Sequence, residues 1–410
     1  MRIILFYQHK VRELKACRSL VSYLEEKFHH LNIEVNLYQI DFEWDLAKSW
    51  AEHHGIDVVV MPWLYSRSNY IILYPFLRVN PDLRVINLHH EQISNEAYER
   101  LLLPDGENSK NGCFHFTWGS FFANKLKNCG VKQELIFETG NIRLDDILKG
   151  NHCGSKKKIG QEFGLDTNKK WILYAENRGW VYKATQAFEE EYLHNGVSRE
   201  SYLKNKQVCT KSLELTYQQF FDLPESFFED YELIYRPHPG TRTPIQHDKI
   251  KVISDYSIAV WLKCIDCLIV WDSTTAYEAE IAGVPVLRHE PIEHPRDLLI
   301  YGMEEFPVIR EICQIPEVLA QYYTFSRKRI YEAYYGKVDG RSIQRCAETI
   351  VRCAHDPIKL NTTLVLTKED KKELRRRVAF DKVSRLLNKF GLIKKFHWPR
   401  SAYAQLNDIP

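Results

Sequence analysis

The chain has 410 residues, 44% hydrophobic and 27% charged, with a net charge of +2. These figures exclude a disordered polymer and an integral membrane protein, and the near-neutral sum argues against a dedicated nucleic-acid binder. At roughly 150 residues per core, the length predicts two domains and a tail.

Residues 3–7 form a short apolar run that Gln8-His9-Lys10 end at once, with no small-residue cleavage site, so it reads as a first strand and not a secretion signal. A helical pattern follows near 12–29, then a strand at 34–40, a second helix, a strand at Val58–Met61, a helix near 70–79 and a strand at 85–88. Residues 113–118 and 135–139 are the next strands. Such strand–helix alternation predicts a parallel sheet with helices on both faces. The polar, glycine-containing stretch 148–158 closes this first Rossmann-like domain, placed at 1–155. A second series at 171–175, 233–235, 251–253, Cys267–Val270 and 285–287 predicts a second Rossmann-like domain at 156–355, with the charged helical stretch 186–228 as an elaboration. The longest apolar run, 58–65, is far short of the ~20 residues that cross a bilayer.

The ten cysteines are scattered, which suits reduced, buried thiols. Cys264-Ile265-Asp266-Cys267 is the one CxxC, without the second pair or histidine partner of a zinc site, so no metal is expected. Between residues 368 and 400, twelve Lys/Arg face four Asp/Glu, a net of +8 that leaves −6 for the remainder. This tail, 356–410, interleaves Leu374, Val378, Phe380, Val383, Leu386, Leu387 and Phe390 with cations. It predicts a basic amphipathic helix over 373–395, lying on an anionic membrane surface or packing its apolar side on the body.

In open α/β sheets ligands gather at the carboxyl ends of the strands, and two facing domains would put the reaction in the cleft between them. Arg236-Pro237-His238-Pro239-Gly240 follows a strand directly. Two prolines restrict the backbone around the histidine, whose ring N–H can donate to a phosphate oxygen while Arg236 supplies a guanidinium fork. Asp272-Ser273-Thr274-Thr275 also follows a strand and opens a helix, so Ser273, Thr274 or Thr275 can cap it and its free N–H groups can meet an anion. Asn177 and Arg178 end another strand of this domain. In the first domain His9 and Lys10 follow the first strand, and His89-His90-Glu91-Gln92 follows the fourth. A transferred hydroxyl needs a base, and Glu91 is the expected one, with His90 second.

The run Glu278-Ala279-Glu280-Ile281-Ala282-Gly283-Val284-Pro285-Val286 resembles the E-A-x-x-x-G-x-P-V segment of GT-B glycosyltransferases, which implies that Glu278 meets the nucleotide ribose. With Arg-Pro-His-Pro-Gly it is similar to the motifs of CMP-sugar transferases, including bacterial sialyltransferases and Kdo transferases; by that resemblance His238, Ser273 and Thr274 grip the CMP phosphate. Thr117-Trp118-Gly119, residues 139–145 and Asp339-Gly340-Arg341-Ser342 are similar to segments of bacterial surface-carbohydrate proteins and of CDP-glycerol glycerophosphotransferases. The resemblance covers about residues 1–355 and implies a GT-B fold. It also implies an enzyme that moves a sugar from a CMP-activated donor to a glycan or lipid-linked acceptor at the cytoplasmic face of a membrane, without metal or other cofactor. The alternatives are a CDP-glycerol or CDP-ribitol phosphotransferase, a UDP-sugar epimerase and a non-catalytic glycan- or lipid-binding subunit.

Overall fold

The computed structural model describes residues 1–148, 155–194, 196–237, 245–321 and 328–392. Arg2–Tyr7 (β1), Glu34–Gln39 (β2), Val58–Met61 (β3), Arg84–Asn87 (β4), Phe114–Thr117 (β5) and Ile136–Glu138 (β6) form one sheet in the order β2-β1-β3-β4-β5-β6, every pair parallel. Both β3 and β5 are buried along their whole length, as strands covered on both faces must be. Lys170–Ala175 (β7), Tyr231–Arg236 (β8), Ile250–Val252 (β9), Cys267–Val270 (β10), Val286–His289 (β11) and Val308–Ile309 (β12) form a second parallel sheet, β12-β11-β10-β7-β8-β9. That is the doubly wound order of dinucleotide-binding domains. The strand order reverses between β1 and β3 in the first sheet and between β7 and β10 in the second, and each reversal opens a crevice at the carboxyl ends.

The helices that position the sites are Lys10–Lys27 (α1), Trp44–His54 (α2), Arg199–Phe221 (α3), Thr275–Ile281 (α4), Ser342–Ala354 (α5) and Lys368–Lys389 (α6). In α1, Leu14, Cys17, Leu20 and Leu24 share one core with Ile343, Cys346 and Ile350 of α5. The compact units therefore differ from the expected spans: one comprises 1–92, 102–145 and 332–410, the other 93–101 and 146–331. The reason is the apolar stripe of α5, which is buried against α1 and so belongs with the first sheet.

Among the described residues no helix is long and apolar enough to cross a membrane. Helix α6 docks its first half on the first unit, where Leu374 and Val378 pack against the cluster of Trp44, Ala47 and Phe76. Arg385 grips Asp45 with both terminal nitrogens. Its second half leaves Val383, Leu386 and Phe390 exposed. Asp381, 1% exposed, accepts the Asp45 N–H at 3.2 Å, and burial pushes its carboxyl up to about 7. The folded chain thus holds this proton more tightly than the unfolded one, so stability is present at low pH and is lost as pH rises from about 4 through 7. Asp381→Asn is expected to stabilise the protein at pH 8 by on the order of 2 kcal/mol, shrinking to nearly nothing by pH 4, in urea unfolding followed across that range.

Candidate functional site

In the second unit Glu176, Asn177 and Arg178 leave β7, Arg236 ends β8, and Trp271-Asp272-Ser273 leaves β10. Arg178 does not face the crevice as expected of a phosphate ligand. Its side chain is 1% exposed, and it donates to Ser212 Oγ at 2.6 Å, Thr216 Oγ1 at 3.2 Å and Tyr174 Oη at 2.6 Å, with its guanidinium 5.0 Å from the Trp271 ring centre. The fork is spent on α3, so Arg178 is a buried strut. Tyr174 Oη, having accepted from Arg178, donates to His289 Nδ1 at 2.7 Å, and burial with the neighbouring Arg178 charge holds that imidazole down at about 3.

Asn177 donates through Nδ2 to the Asp272 carbonyl and so ties the ends of β7 and β10 across the reversal; its Oδ1 is buried without a hydrogen-bond partner among the described residues. Ser273 Oγ donates to Thr275 Oγ1 at 3.1 Å and accepts the Thr275 N–H at 3.3 Å. Thr274 is the residue before α4 and makes no side-chain cap bond. Asp272 accepts the Ile300 N–H at 3.0 Å and lies 3.6 Å from His294 Nε2, whose ring stacks on Trp271. It fastens the loop after β11, a partner that sequence reading missed. Arg236 donates from Nη2 to the Tyr256 carbonyl at 3.1 Å, and its Nε is buried with no hydrogen-bond partner among the described residues. Burial lowers the guanidinium's proton affinity, and Glu278 opposes the shift, so these two expected ligands lie within reach of each other's charge. His238, Pro239 and Gly240 lie outside the described residues.

In the first unit His90 and Glu91 leave β4 on a loop that is locked from behind. His89 adopts the left-handed region, φ 47°, and is fully buried. The Lys110 carbonyl can only accept, so His115 Nε2 carries a proton and donates to it at 2.8 Å; His115 Nδ1 then accepts from His89 Nε2 at 2.8 Å. Gln92 completes the lock, donating to the Phe116 carbonyl at 3.1 Å and accepting the Trp118 N–H at 2.7 Å. Glu91, the expected base, is ion-paired with Arg12 of α1. His90 instead places Nδ1 3.3 Å from Glu13 Oε1. Burial and the charges of Arg12 and Arg143 hold His90 well below its ordinary value, so its ring is neutral. His9, 6.3 Å from His90 ring to ring, is held down at about 3, chiefly by burial; Lys10 is the first residue of α1.

The segments that suggested a shared family build a structural joint. Asp145 accepts the N–H groups of Ser342 at 3.0 Å and Ile343 at 2.8 Å, so residues 139–145 cap the helix that Asp339-Gly340-Arg341-Ser342 opens. A Cβ on Gly336 would lie 2.1 Å from the Trp118 carbonyl, and one on Gly119 would lie 2.4 Å from that of Ala333.

No family model matches this chain, and no curated protein matches it. Solved structures do. The UDP-GlcNAc 2-epimerase from Neisseria meningitidis, bound to UDP-GlcNAc, is 14% identical with a TM-score of 0.55, over 86% of this chain and 100% of its own. The wall teichoic acid polymerase TagF is 14% identical at 0.53, over 86% and 88%. An S. aureus MnaA–UDP structure is 15% identical at 0.50, over 85% and 95%. The fold is GT-B. At these identities the likeness is one of backbone. Within the GT-B frame the roles of Arg236, Glu278, His90 and Glu13 rest on the geometry of this chain alone.

Proposed function

We propose that this protein is a nucleotide-sugar-dependent GT-B glycosyltransferase of surface-carbohydrate synthesis. It takes a CMP-activated donor, a 2-keto acid sugar of the Kdo or sialic-acid kind, on the second unit and a glycan or lipid-linked acceptor on the first. The observation that carries the reading is Arg236: a half-buried cation at a strand's carboxyl end, whose buried Nε has no hydrogen-bond partner among the described residues and which has a carboxylate neighbour in Glu278. A protein that desolvates a guanidinium without using all its donors has left room for an anion, and a nucleotide phosphate fits. Ser273, Thr274, Thr275 and Asn177 would complete that seat together with His238, Pro239 and Gly240. No metal or other cofactor is called for. On the acceptor side His90, backed by Glu13, is taken as the base ahead of Glu91, beside His9 and Lys10. The exposed Val383, Leu386 and Phe390 of α6, set among cations, suit an anionic inner-face membrane surface where a lipid-linked acceptor resides.

The likeness to TagF, which has been solved after soaking with CDPG, favours a second reading in which a polyol phosphate is transferred from a CDP-linked donor. A thermal-shift panel of CMP, CDP, UDP and GDP tests the donor. CMP or CDP is expected to raise the melting temperature by mass action, and stabilisation by UDP alone would overturn the cytidine assignment in favour of a UDP-sugar enzyme. Phosphorus incorporated into the acceptor separates the phosphotransferase from the glycosyltransferase.

A further inference from the structure

A pocket in the first unit lies at the carboxyl ends of its strands, at the reversal between β1 and β3. Phe6 of β1, Pro62 after β3, Leu88 after β4 and Trp118 after β5 contribute apolar walls. Into this lining come Glu13, His90 and Asn141. Asn141 Nδ2 is buried with no hydrogen-bond partner among the described residues, and Glu13 Oε1 and His90 Nδ1 are buried facing each other at 3.3 Å. The Glu13 side chain is 7% exposed and Asn141 1%. Buried polar atoms are ordinarily satisfied, so the unspent Asn141 amide on this pocket marks a place where something else supplies the bond. The pocket thus offers an amide donor and an imidazole already backed by a carboxylate, among apolar walls. A hydroxyl both donates and accepts, and a hydroxyl on a carbon skeleton matches the set.

We propose that this pocket receives the acceptor's hydroxyl-bearing edge and that Glu13 is the positioning residue for His90, an inference that rests on the transferase reading above. Glu13 is fixed at its other oxygen, where Oε2 accepts the Gln8 N–H at 2.8 Å, so Oε1 is held toward the imidazole. With a proton on Nδ1 facing Glu13, the lone pair stands on Nε2. The acceptor hydroxyl passes its proton to Nε2 while its oxygen forms the new bond to the donor's anomeric carbon. The bond from that carbon to the phosphate oxygen breaks, and the nucleotide leaves with those electrons. The charged groups that act on His90 are Glu13 and Arg12 from α1 and Arg143 from the loop after β6, with His9 beside it. Burial and the two arginines keep the ring neutral until it takes the substrate proton, and Glu13 stabilises the imidazolium that results.

The test uses the full chain with the cytidine donor that the nucleotide panel selects, and follows nucleotide release. His90→Ala is expected to lower turnover by ~10²–10⁴-fold. Glu13→Gln is expected to lower kcat at least ~10-fold, with the acidic limb of the pH profile displaced, and Glu13→Asp should restore part of the rate. In both variants stabilisation by the nucleotide should persist, so a failure here is distinct from a failure of the donor reading. NMR of isotope-labelled histidine should find His90 protonated on Nδ1 in the wild type and shifted toward the other tautomer in Glu13→Gln. If Glu13→Gln keeps the wild-type rate and pH profile, or if His90 carries its proton on Nε2, the pocket is a seat for a buried water only and the proposal is wrong.

Discussion

Arg236→Ala is expected to abolish stabilisation by the cytidine nucleotide and to cut turnover by ~10²–10³-fold, the loss typical of removing one preorganised charge from a site of developing negative charge. The same substitution should leave the empty protein as stable as before, or slightly more so. Its cation is partly taken out of water with only a main-chain carbonyl as hydrogen-bond partner among the described residues, and such a group costs stability until a ligand compensates it. Activity and stability therefore move in opposite directions. A merely structural arginine would show the reverse, with the melting temperature falling together with the rate. Arg178 is the internal comparison. It follows β7 where Arg236 ends β8, yet both of its terminal nitrogens are held by the side chains of Ser212, Thr216 and Tyr174, so Arg178→Met should damage the fold. Arg236→Lys retains charge without the planar fork and should recover only part of the binding. Calorimetric titration of the cytidine nucleotide into each variant, beside thermal unfolding of the empty protein, checks both halves of the expectation.

The two sheets were legible because their strands are parallel and covered on both faces, which writes them as continuous apolar runs such as Val58–Met61 and Cys267–Val270. The two-residue edge strand Val308–Ile309 is too short to leave such a mark. Where a helix docks was less legible. The apolar stripe of α5 says that one face is covered but not by which unit, and its burial against α1 is a contact between residues more than three hundred positions apart. The same limit explains Arg178, whose partners Ser212 and Thr216 come from a helix more than thirty residues later. Glu91 was the expected base as a carboxylate at the carboxyl end of β4, and nothing local announced that Arg12 would reach it. Glu13 did leave a signal. Positions 13, 17, 20 and 24 share one face of α1, so a glutamate stands on a stripe otherwise made of Cys17, Leu20 and Leu24. A charged residue on a buried stripe calls for a partner, and here that partner is His90.

Asp145→Ala is expected to destabilise the protein by about 3–5 kcal/mol, because it leaves two helix-start N–H groups unbonded in the interior and removes a charge from the favourable end of the helix dipole. The cap is remote: the residue before α5, Arg341, makes no side-chain cap bond, and Asp145 serves Ser342 and Ile343 from 197 and 198 positions away. Helix α5 in turn supplies Ile343, Cys346, Ala347, Ile350 and Cys353 to the core shared with α1, so loosening its start loosens the face that carries Glu13. Asp145→Asn should be almost as harmful, since its amide turns a donor toward an N–H that also donates. Asp339→Ala, which removes a half-exposed partner of Arg345, should cost no more than about 1 kcal/mol. If urea unfolding gave equal losses for Asp145→Ala and Asp339→Ala, the remote cap would not be what holds α5 in place. Gly336→Ala should join Asp145→Ala at the severe end: its φ of 72° disfavours any side chain, and the added carbon would meet the Trp118 carbonyl, which cannot move without the β5 end and the Tyr335 ring stacked on Trp118 moving with it.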